Sequence, residues 1–406
     1  MQDYNFIPGG ITAPQGFTAS GIHCGIRRNK TKRDLALIFA DRQCAAAAVY
    51  TTNAVKAAPI YLTIEHLSDG HARAILVNSG NANACAPGGN DAARQMTAAA
   101  AAALGINPSD IIVNSTGVIG QPLPIDTITN AIPQLVENLS NDSEPAAEAI
   151  MTTDTFSKSA ALKCIIGGKQ VTIGGIAKGS GMIHPSMATM LAFLTTDCAI
   201  SPEMLKLALK TSVNRTYNRI SVDGDTSTND MTAILASGTA ENAPITEKNA
   251  DYDAFVAAIT AINLKLAKDI AKDGEGATKL ITCIVSGALC EDAAATLAKS
   301  VISSSLVKAA IFGSDANWGR VLCAMGYSGV QFDATKVDVA FASKSGRVDV
   351  CKQGMGLGFD ETKATKILGR SEITIEINQN QGKATAEAYG CDLTYDYVRI
   401  NGDYRT

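Results

Sequence analysis

The sequence has neither an excess of positive charge nor a long apolar run. Its 406 residues carry a formal net charge of −4, so the charge pattern expected for binding nucleic acid or an anionic membrane is missing. The longest apolar run, residues 98–104, is far too short to cross a bilayer. The first ten residues lack the basic and apolar regions of a secretory signal. We therefore expect a cytoplasmic protein without nucleic-acid or membrane partners.

Motifs for metal and redox chemistry are also missing from the sequence. The 10 cysteines are scattered, the closest pair being Cys283 and Cys290, and there is neither a CxxC nor an HExxH motif. Scattered cysteines in a reducing compartment usually serve as small buried apolar residues. The oxygen-rich stretch 223–230 lacks the glycine spacing of an EF-hand loop. We expect a hydrogen-bonded turn with a helix cap there, and no metal site.

The common cofactor and hydrolase motifs are absent too. Residues 178–184 (KGSGMIH) read GxGxxH, which departs from the dinucleotide-binding fingerprint. Residues 273–279 (DGEGATK) lack the spacing of a phosphate-binding P-loop, and no GxSxG elbow occurs. We therefore expect no bound cofactor.

The sequence does contain the material for a large folded core. It is 46% hydrophobic and 18% charged, which favours two domains or one large layered domain. Helix and strand signals alternate along the chain and predict a mixed α and β protein. The predicted elements are helices over 90–105, from Ser201 onward and over 252–272, buried strands over 73–78 and 279–289, and a hairpin of 372–378 with 383–389.

One stretch, residues 178–193 (KGSGMIHPSMATMLAF), surrounds a single threonine with backbone freedom upstream and apolar residues downstream. A hydroxyl is a weak nucleophile until a base takes its proton. Cleavage of the Ala188-Thr189 bond would free an α-amine, whose pKa of about 7.7–8.0 suits a base at neutral pH. The Thr189 hydroxyl would add to the Ala188 carbonyl, and water would hydrolyse the resulting ester. On composition alone, an ordinary glycine-rich turn entering a buried element is the better interpretation.

The same run resembles the self-cleavage signature of the ornithine acetyltransferase family. Members of this family are glutamate N-acetyltransferases of arginine biosynthesis, many of them bifunctional. Further blocks resemble the family in order along nearly the whole chain: 114–120 (NSTGVIG), 149–155 (AIMTTDT), 223–230 (DGDTSTND), 273–278 (DGEGAT), 314–320 (SDANWGR) and 400–406 (INGDYRT).

The resemblance implies an α+β fold, specifically an αββα sandwich of the self-processing N-terminal-nucleophile type. It implies maturation into an α chain (1–188) and a β chain (189–406), assembled as a heterotetramer with two of each. It also implies a ping-pong reaction, in which N2-acetylornithine acetylates the terminal threonine and glutamate then takes the acetyl group. Acetyl-CoA is an acetyl donor for some members, and no motif in this sequence decides that point.

Site residues are carried over from the family by position. Thr189 matches the nucleophile, and Ala188-Thr189 matches the cleavage site. Thr116 and Gly117 match the pair that stabilises the oxyanion. Substrate-binding positions fall on Thr152, Lys178, Thr189, Glu275, Asn401 and Thr406. The neighbouring Thr153 leaves a one-residue ambiguity at Thr152. Without the resemblance, Lys178 and Glu275 would be interpreted as solvated charges and 116–117 as a turn.

Two other classes of protein share some of these features. A self-processed N-terminal-nucleophile aminopeptidase or amidase would use the same activated threonine, but with water as the acceptor. A non-enzymatic α/β protein would use the glycine-rich turn to hold an anion. Acetyl transfer to glutamate distinguishes the acetyltransferase from the hydrolase. Self-cleavage distinguishes it from the anion-binding protein.

Overall fold

The computed structural model describes residues 4–184 and 190–403. This part of the chain forms two compact units. The first contains residues 4–179, 190–218 and 226–266, and the second contains 180–184, 219–225 and 267–403. Each unit includes residues from both sides of the predicted cleavage point, so division by compactness does not test the predicted division into 1–188 and 189–406.

Each unit is built from one β-sheet with helices packed on it, which confirms the predicted α+β class. The strands of the described residues are β1 (Asn5–Ile7), β2 (Phe17–Ile22), β3 (Leu35–Tyr50), β4 (His71–Asn81), β5 (Ile111–Val118), β6 (Lys158–Ile166), β7 (Lys169–Lys178), β8 (Leu191–Thr196), β9 (Ile220–Ser221), β10 (Met231–Ala236), β11 (Leu280–Ala288), β12 (Asp338–Ser343), β13 (Gly346–Lys352), β14 (Met355–Gly356), β15 (Glu372–Asn378) and β16 (Ala384–Cys391).

The helices begin and end largely where local capping signals stand in the sequence. They are α1 (Ala58–His66), α2 (Gly89–Leu104), α3 (Ile125–Glu137), α4 (Glu144–Ala149), α5 (Pro202–Arg215), α6 (Ala250–Lys272), α7 (Glu291–Ser303), α8 (Ser305–Phe312), α9 (Trp318–Gly326), α10 (Glu361–Leu368) and α11 (Tyr395–Gly402).

The three predicted helices are confirmed. Helix α2 ends at Gly105, whose φ of 68° is the left-handed cap that glycine favours. Helix α5 starts after Ser201, whose side chain accepts a hydrogen bond from the Met204 amide. Helix α6 covers the predicted stretch 252–272 with two extra residues at its start.

The sheet of the first unit follows the order β1-β6-β7-β8-β10-β3-β4-β5, with β2 paired to β3. Most neighbours are antiparallel, but β8–β10 and β4–β5 are parallel. The predicted buried strand 73–78 is confirmed as part of β4. All six residues of β8 are buried, so the apolar run after Thr189 forms a central strand of this sheet.

Both faces of this sheet are covered. On one face, Leu35, Leu76 and Val113 pack with Met96 of α2 and Ile128 of α3. The other face buries a separate cluster that includes residues of α4, β8 and β10. Burial on both faces explains why neither β8 nor β10 shows the alternation of polar and apolar residues that is typical of a half-exposed strand.

The sheet of the second unit follows the order β14-β13-β12-β15-β11-β16-β9 and packs against α7, α9 and α10. The predicted hairpin of 372–378 with 383–389 is wrong, although both strands exist. Strand β11 lies between them, parallel to β15 and antiparallel to β16. The connecting turn passes the end of β11, where the amides of Gln381 and Gly382 donate to the Gly287 carbonyl. Strand 279–289 is confirmed as β11, but its residues alternate between buried and half-buried.

Candidate active site

A buried ion cluster in the first unit contains two of the predicted substrate-binding residues. Lys178, the last residue of β7, is 7% exposed, and its Nζ donates to Thr152 Oγ1 at 2.8 Å. Between the two lies Asp154, whose carboxylate accepts from the amides of Thr152 (2.9 Å) and Gly179 (2.7 Å). The same carboxylate lies 2.8 Å from Lys158 Nζ and 4.0 Å from Lys178 Nζ. Asp154 therefore fixes both Thr152 and the end of β7.

The buried charges in this cluster partly compensate one another. Burial alone would raise the pKa of Asp154, but the charges of Lys178 and Lys158 and the donated hydrogen bonds outweigh it and lower the pKa to about 2. Burial lowers the pKa of Lys178, and Asp154 and Asp230 only partly offset this. Burial raises the pKa of Asp230 well above its usual range. A further anion beside Lys178, such as a substrate carboxylate, would favour the charged form of this lysine.

The predicted oxyanion residues, Thr116 and Gly117, lie near the end of β5, where β4 and β5 run side by side. Gly117 has a φ of +135° and pairs with Gly80. A Cβ at position 117 would stand 2.3 Å from the Gly80 carbonyl carbon, so only glycine fits. An ordinary turn is wrong here, because the two residues remain paired with β4. The close approach holds the Gly117 N–H group in a fixed direction.

Two other predicted substrate-binding residues meet in the second unit. Glu275 is 7% exposed, and its Oε2 accepts from Asn401 Nδ2 at 2.7 Å. Asn401 belongs to α11, which is fixed at its start because the Thr394 hydroxyl donates to the Gly276 carbonyl. The Glu275 carboxylate also lies against the backbone at Gly181, where a Cβ would be 2.4 Å from it. This carboxylate and amide are suited to bind a ligand's ammonium group.

Residues 180–184, which lead toward the predicted cleavage point, are held in place by hydrogen bonds. Ser180 Oγ donates to the Asp273 carbonyl at 2.6 Å. The Asp223 carboxylate accepts from the amides of Met182 (2.6 Å) and Ile183 (2.8 Å). The turn predicted over 223–230 thus serves to hold this segment. The predicted helix cap is wrong there, because β10 follows the turn.

The remaining predicted site residues, Ala188, Thr189 and Thr406, lie outside the described residues. Of the rest, the structure brings Thr152 together with Lys178, and Glu275 together with Asn401. Sequence reasoning missed Asp154 and Asp223, although both stand in blocks that resemble the family. The available signal was an aspartate inside each of these two polar blocks. In the part of the chain that the structure describes, no cluster of three or more His, Cys, Asp or Glu side chains could hold a metal ion.

Comparison with known proteins decides the family. The ArgJ family model matches residues 18–406. The chain belongs to the ArgJ family. The arginine biosynthesis bifunctional protein ArgJ 1 of Clostridium acetobutylicum is 50% identical and covers 98% of this chain and 97% of its own. The ArgJ protein of Symbiobacterium thermophilum is 51% identical over 99% of this chain and all of its own length.

A solved member of the ArgJ family agrees with this assignment. The crystal structure of ArgJ from Bacillus halodurans matches with a TM-score of 0.50 and 47% identity, over 53% of this chain and 99% of the solved one. The predicted resemblance, fold class and enzyme class, an acyltransferase of arginine biosynthesis, are thereby confirmed. Within residues 4–184 and 190–403 no single helix has the length and apolarity to span a membrane. The consecutive helices α7 and α8 meet these limits only when taken together, and they are bent by 60° relative to each other.

Proposed function

We propose that this ArgJ protein cuts itself between Ala188 and Thr189 and then moves acetyl groups from N2-acetylornithine to glutamate. The new α-amine of Thr189 acts as the base for its own hydroxyl, which attacks the acetyl carbonyl. Thr116 and Gly117 stabilise the oxyanion. Ornithine leaves, and the glutamate amine takes the acetyl group from the threonine ester. Both half-reactions use one nucleophile, so the kinetics are ping-pong.

The observation that carries this proposal is the buried contact of Lys178 with Thr152, held by Asp154. A buried lysine ammonium is stabilised by an anion, and both amino-acid substrates carry an α-carboxylate. Glu275 and Asn401 would take the ornithine ammonium. Glutamate carries the opposite charge at that end, so we expect water to stay there when glutamate binds. Thr406 is proposed as a further substrate contact.

Chain length supports the cleavage. The solved Bacillus halodurans chain is matched over 99% of its own length and yet accounts for only 53% of this one. Cleavage before Thr189 would leave a β chain of 218 of the 406 residues, which is the same share. As the family resemblance implies, we also propose a cytoplasmic heterotetramer of two α and two β chains.

A denaturing gel with amino-terminal sequencing tests the cleavage. The purified protein is expected to give two chains, one of which begins TMLAF, and Thr189→Ala is expected to stay whole. Thr189→Ser keeps a hydroxyl and should still be cut. A single intact chain from the unmodified protein would contradict the mechanism.

Acetyl transfer is tested by incubation with N2-acetylornithine in the presence and absence of glutamate. Ornithine release is expected to depend on glutamate, with acetylglutamate as the product. Release that ignores glutamate would instead indicate a hydrolase. Because its relatives are named bifunctional, we extend the proposal to acetyl-CoA as a second donor. Formation of acetylglutamate from acetyl-CoA and glutamate is the measurement for that step.

A further inference from the structure

Asn229 makes an unusual set of buried hydrogen bonds in the first unit. It is 4% exposed, and its Nδ2 donates to two backbone carbonyls, those of Ala82 (2.6 Å) and Ser115 (2.8 Å). Its Oδ1 accepts from the Thr228 hydroxyl at 2.6 Å. The acceptor role of Oδ1 fixes the amide orientation, so both N–H donors face the carbonyls.

These bonds connect Asn229 to the strand that carries the oxyanion pair. Ser115 directly precedes Thr116 and Gly117 in β5. The contact is reciprocal, because Asn114 Nδ2 donates back to the Asn229 carbonyl at 2.9 Å. Ala82 follows β4, whose end pairs with Gly117. A single side chain therefore ties together the ends of β4 and β5.

On its other side, Asn229 leads directly into the strand beside the cleavage point. Two residues later, the Met231 amide donates to the Met190 carbonyl at 3.1 Å. From there β10 runs parallel to β8, with Met231 opposite Leu191. Met190 follows Thr189 by one peptide bond, so β10 fixes the chain that carries the proposed nucleophile.

We propose that Asn229 is a positioning residue that sets the spacing between the oxyanion pair and Thr189. This inference rests on the proposed function. Stabilisation of an oxyanion depends on donors held within about half an ångström of the position that the charge will occupy. Asn229 connects the two strands that must keep this spacing, and among the described residues its side chain bonds to Ala82, Ser115 and Thr228 rather than to the oxyanion pair. The same spacing serves self-cleavage and acetyl transfer.

The chain offers a matched control for the test. Asn242 is also 4% exposed, and its Nδ2 likewise donates to two backbone carbonyls, those of Ala199 (3.1 Å) and Ala243 (2.9 Å). Ala199 and Asn242 follow the opposite ends of the same two strands, β8 and β10. Asn229→Asp and Asn242→Asp each replace two donors with a carboxylate of the same shape.

The measurements are the cleavage rate of the fresh precursor, kcat and KM for acetyl transfer, and the melting temperature. Asn229→Asp is expected to lower kcat about 100-fold and to slow cleavage similarly, as for loss of an oxyanion donor, with KM within about threefold. Asn242→Asp is expected to lower the melting temperature comparably, with kcat within about twofold of the unmodified protein. Asn229→Gln, which keeps the amide, should recover part of the kcat.

Equal kcat losses in the two aspartate variants, or an unchanged kcat in Asn229→Asp, would overturn the inference. If Asn229→Asp does not fold, Asn114→Asp removes only the donor to the Asn229 carbonyl, and an unchanged kcat there overturns the inference as well. Failure of the proposed function is distinguishable, because the unmodified protein would then show neither cleavage nor transfer.

Discussion

The ion cluster around Asp154 explains how a lysine can be charged inside the first unit. The side chains of Asp154 and Lys158 are fully buried, and that of Lys178 is 9% exposed. Taking such charges out of water is costly unless each is paired and hydrogen-bonded. Asp154 receives two backbone amides and a lysine ammonium, so its charge is compensated several times over. This one carboxylate partly offsets the cost of burying the Lys178 ammonium.

Asp154→Asn is therefore expected to be strongly destabilising. It leaves the buried ammonium of Lys158 facing a neutral amide, at a cost of about 3–5 kcal/mol. For a chain of 406 residues, this corresponds to a loss of roughly 4–6 °C in melting temperature. The control is Glu65→Gln, which weakens the exposed Arg94–Glu65 pair and should cost less than about 1 kcal/mol. Equal changes in melting temperature in the two variants would show that the buried ion pair contributes no more stability than the exposed one.

The pH dependence of substrate binding should report on Lys178. Burial lowers its pKa below the ordinary 10.5, and only the protonated form attracts a carboxylate. KM for N2-acetylornithine is therefore expected to rise as pH increases through this lowered pKa, at a pH below that of an ordinary lysine. Lys178→Arg keeps its charge throughout this range. The KM of this variant should therefore not rise with pH, even if its absolute value differs from that of the unmodified protein. A wild-type KM that is flat up to the ordinary lysine pKa of 10.5 would contradict the assignment.

At the scale of elements, local signals were enough for helices but not for strand partners. Ser201 and Gly105 mark the ends of α5 and α2 because caps act within one turn. Strict alternation over 372–378 correctly predicted a strand, yet nothing local shows that β11 inserts before β16. Partner choice depends on a segment about 100 residues away. The same limit applies to the site. The resemblance located Lys178 in the sequence, whereas the role of Asp154 depends on contacts that form only in the folded chain.

The close approach of β4 and β5 can be tested with a pair of glycines. Gly117→Ala would place a Cβ 2.3 Å from the Gly80 carbonyl carbon and force the strand ends apart. We expect about a hundredth or less of the acetyl transfer to remain, since misplacing one oxyanion donor costs about 2.7–4 kcal/mol. At Gly120, φ is again positive (+82°), but an added Cβ would have no atom within 4 Å beyond its chain neighbours. Gly120→Ala should therefore cost about 1–2 kcal/mol of stability, with acetyl transfer retained. Equal activities would argue against the oxyanion role of Gly117.

At the scale of the whole molecule, the proposed cut lies in the sequence between β7 and β8, two neighbouring strands of one sheet. β8 and β10 would belong to the proposed β chain, and they lie next to each other in the sheet of the first unit. β8 pairs with β7 over residues 173–178, and β10 pairs with β3 over 45–50. Both of these partner strands would belong to the proposed α chain. The cleaved chains would therefore share one sheet and the buried cluster on one of its faces.

It follows that cleavage should not release either chain under native conditions. The two chains are expected to co-elute in size-exclusion chromatography even after dilution to nanomolar concentration, at the same volume as uncleaved Thr189→Ala. They should separate only in denaturant, because parting them exposes the buried residues of β8 and β10 and breaks two ladders of backbone hydrogen bonds. Elution of a free β chain from the native protein would contradict this pairing, since β8 and β10 would then have to leave the centre of the sheet.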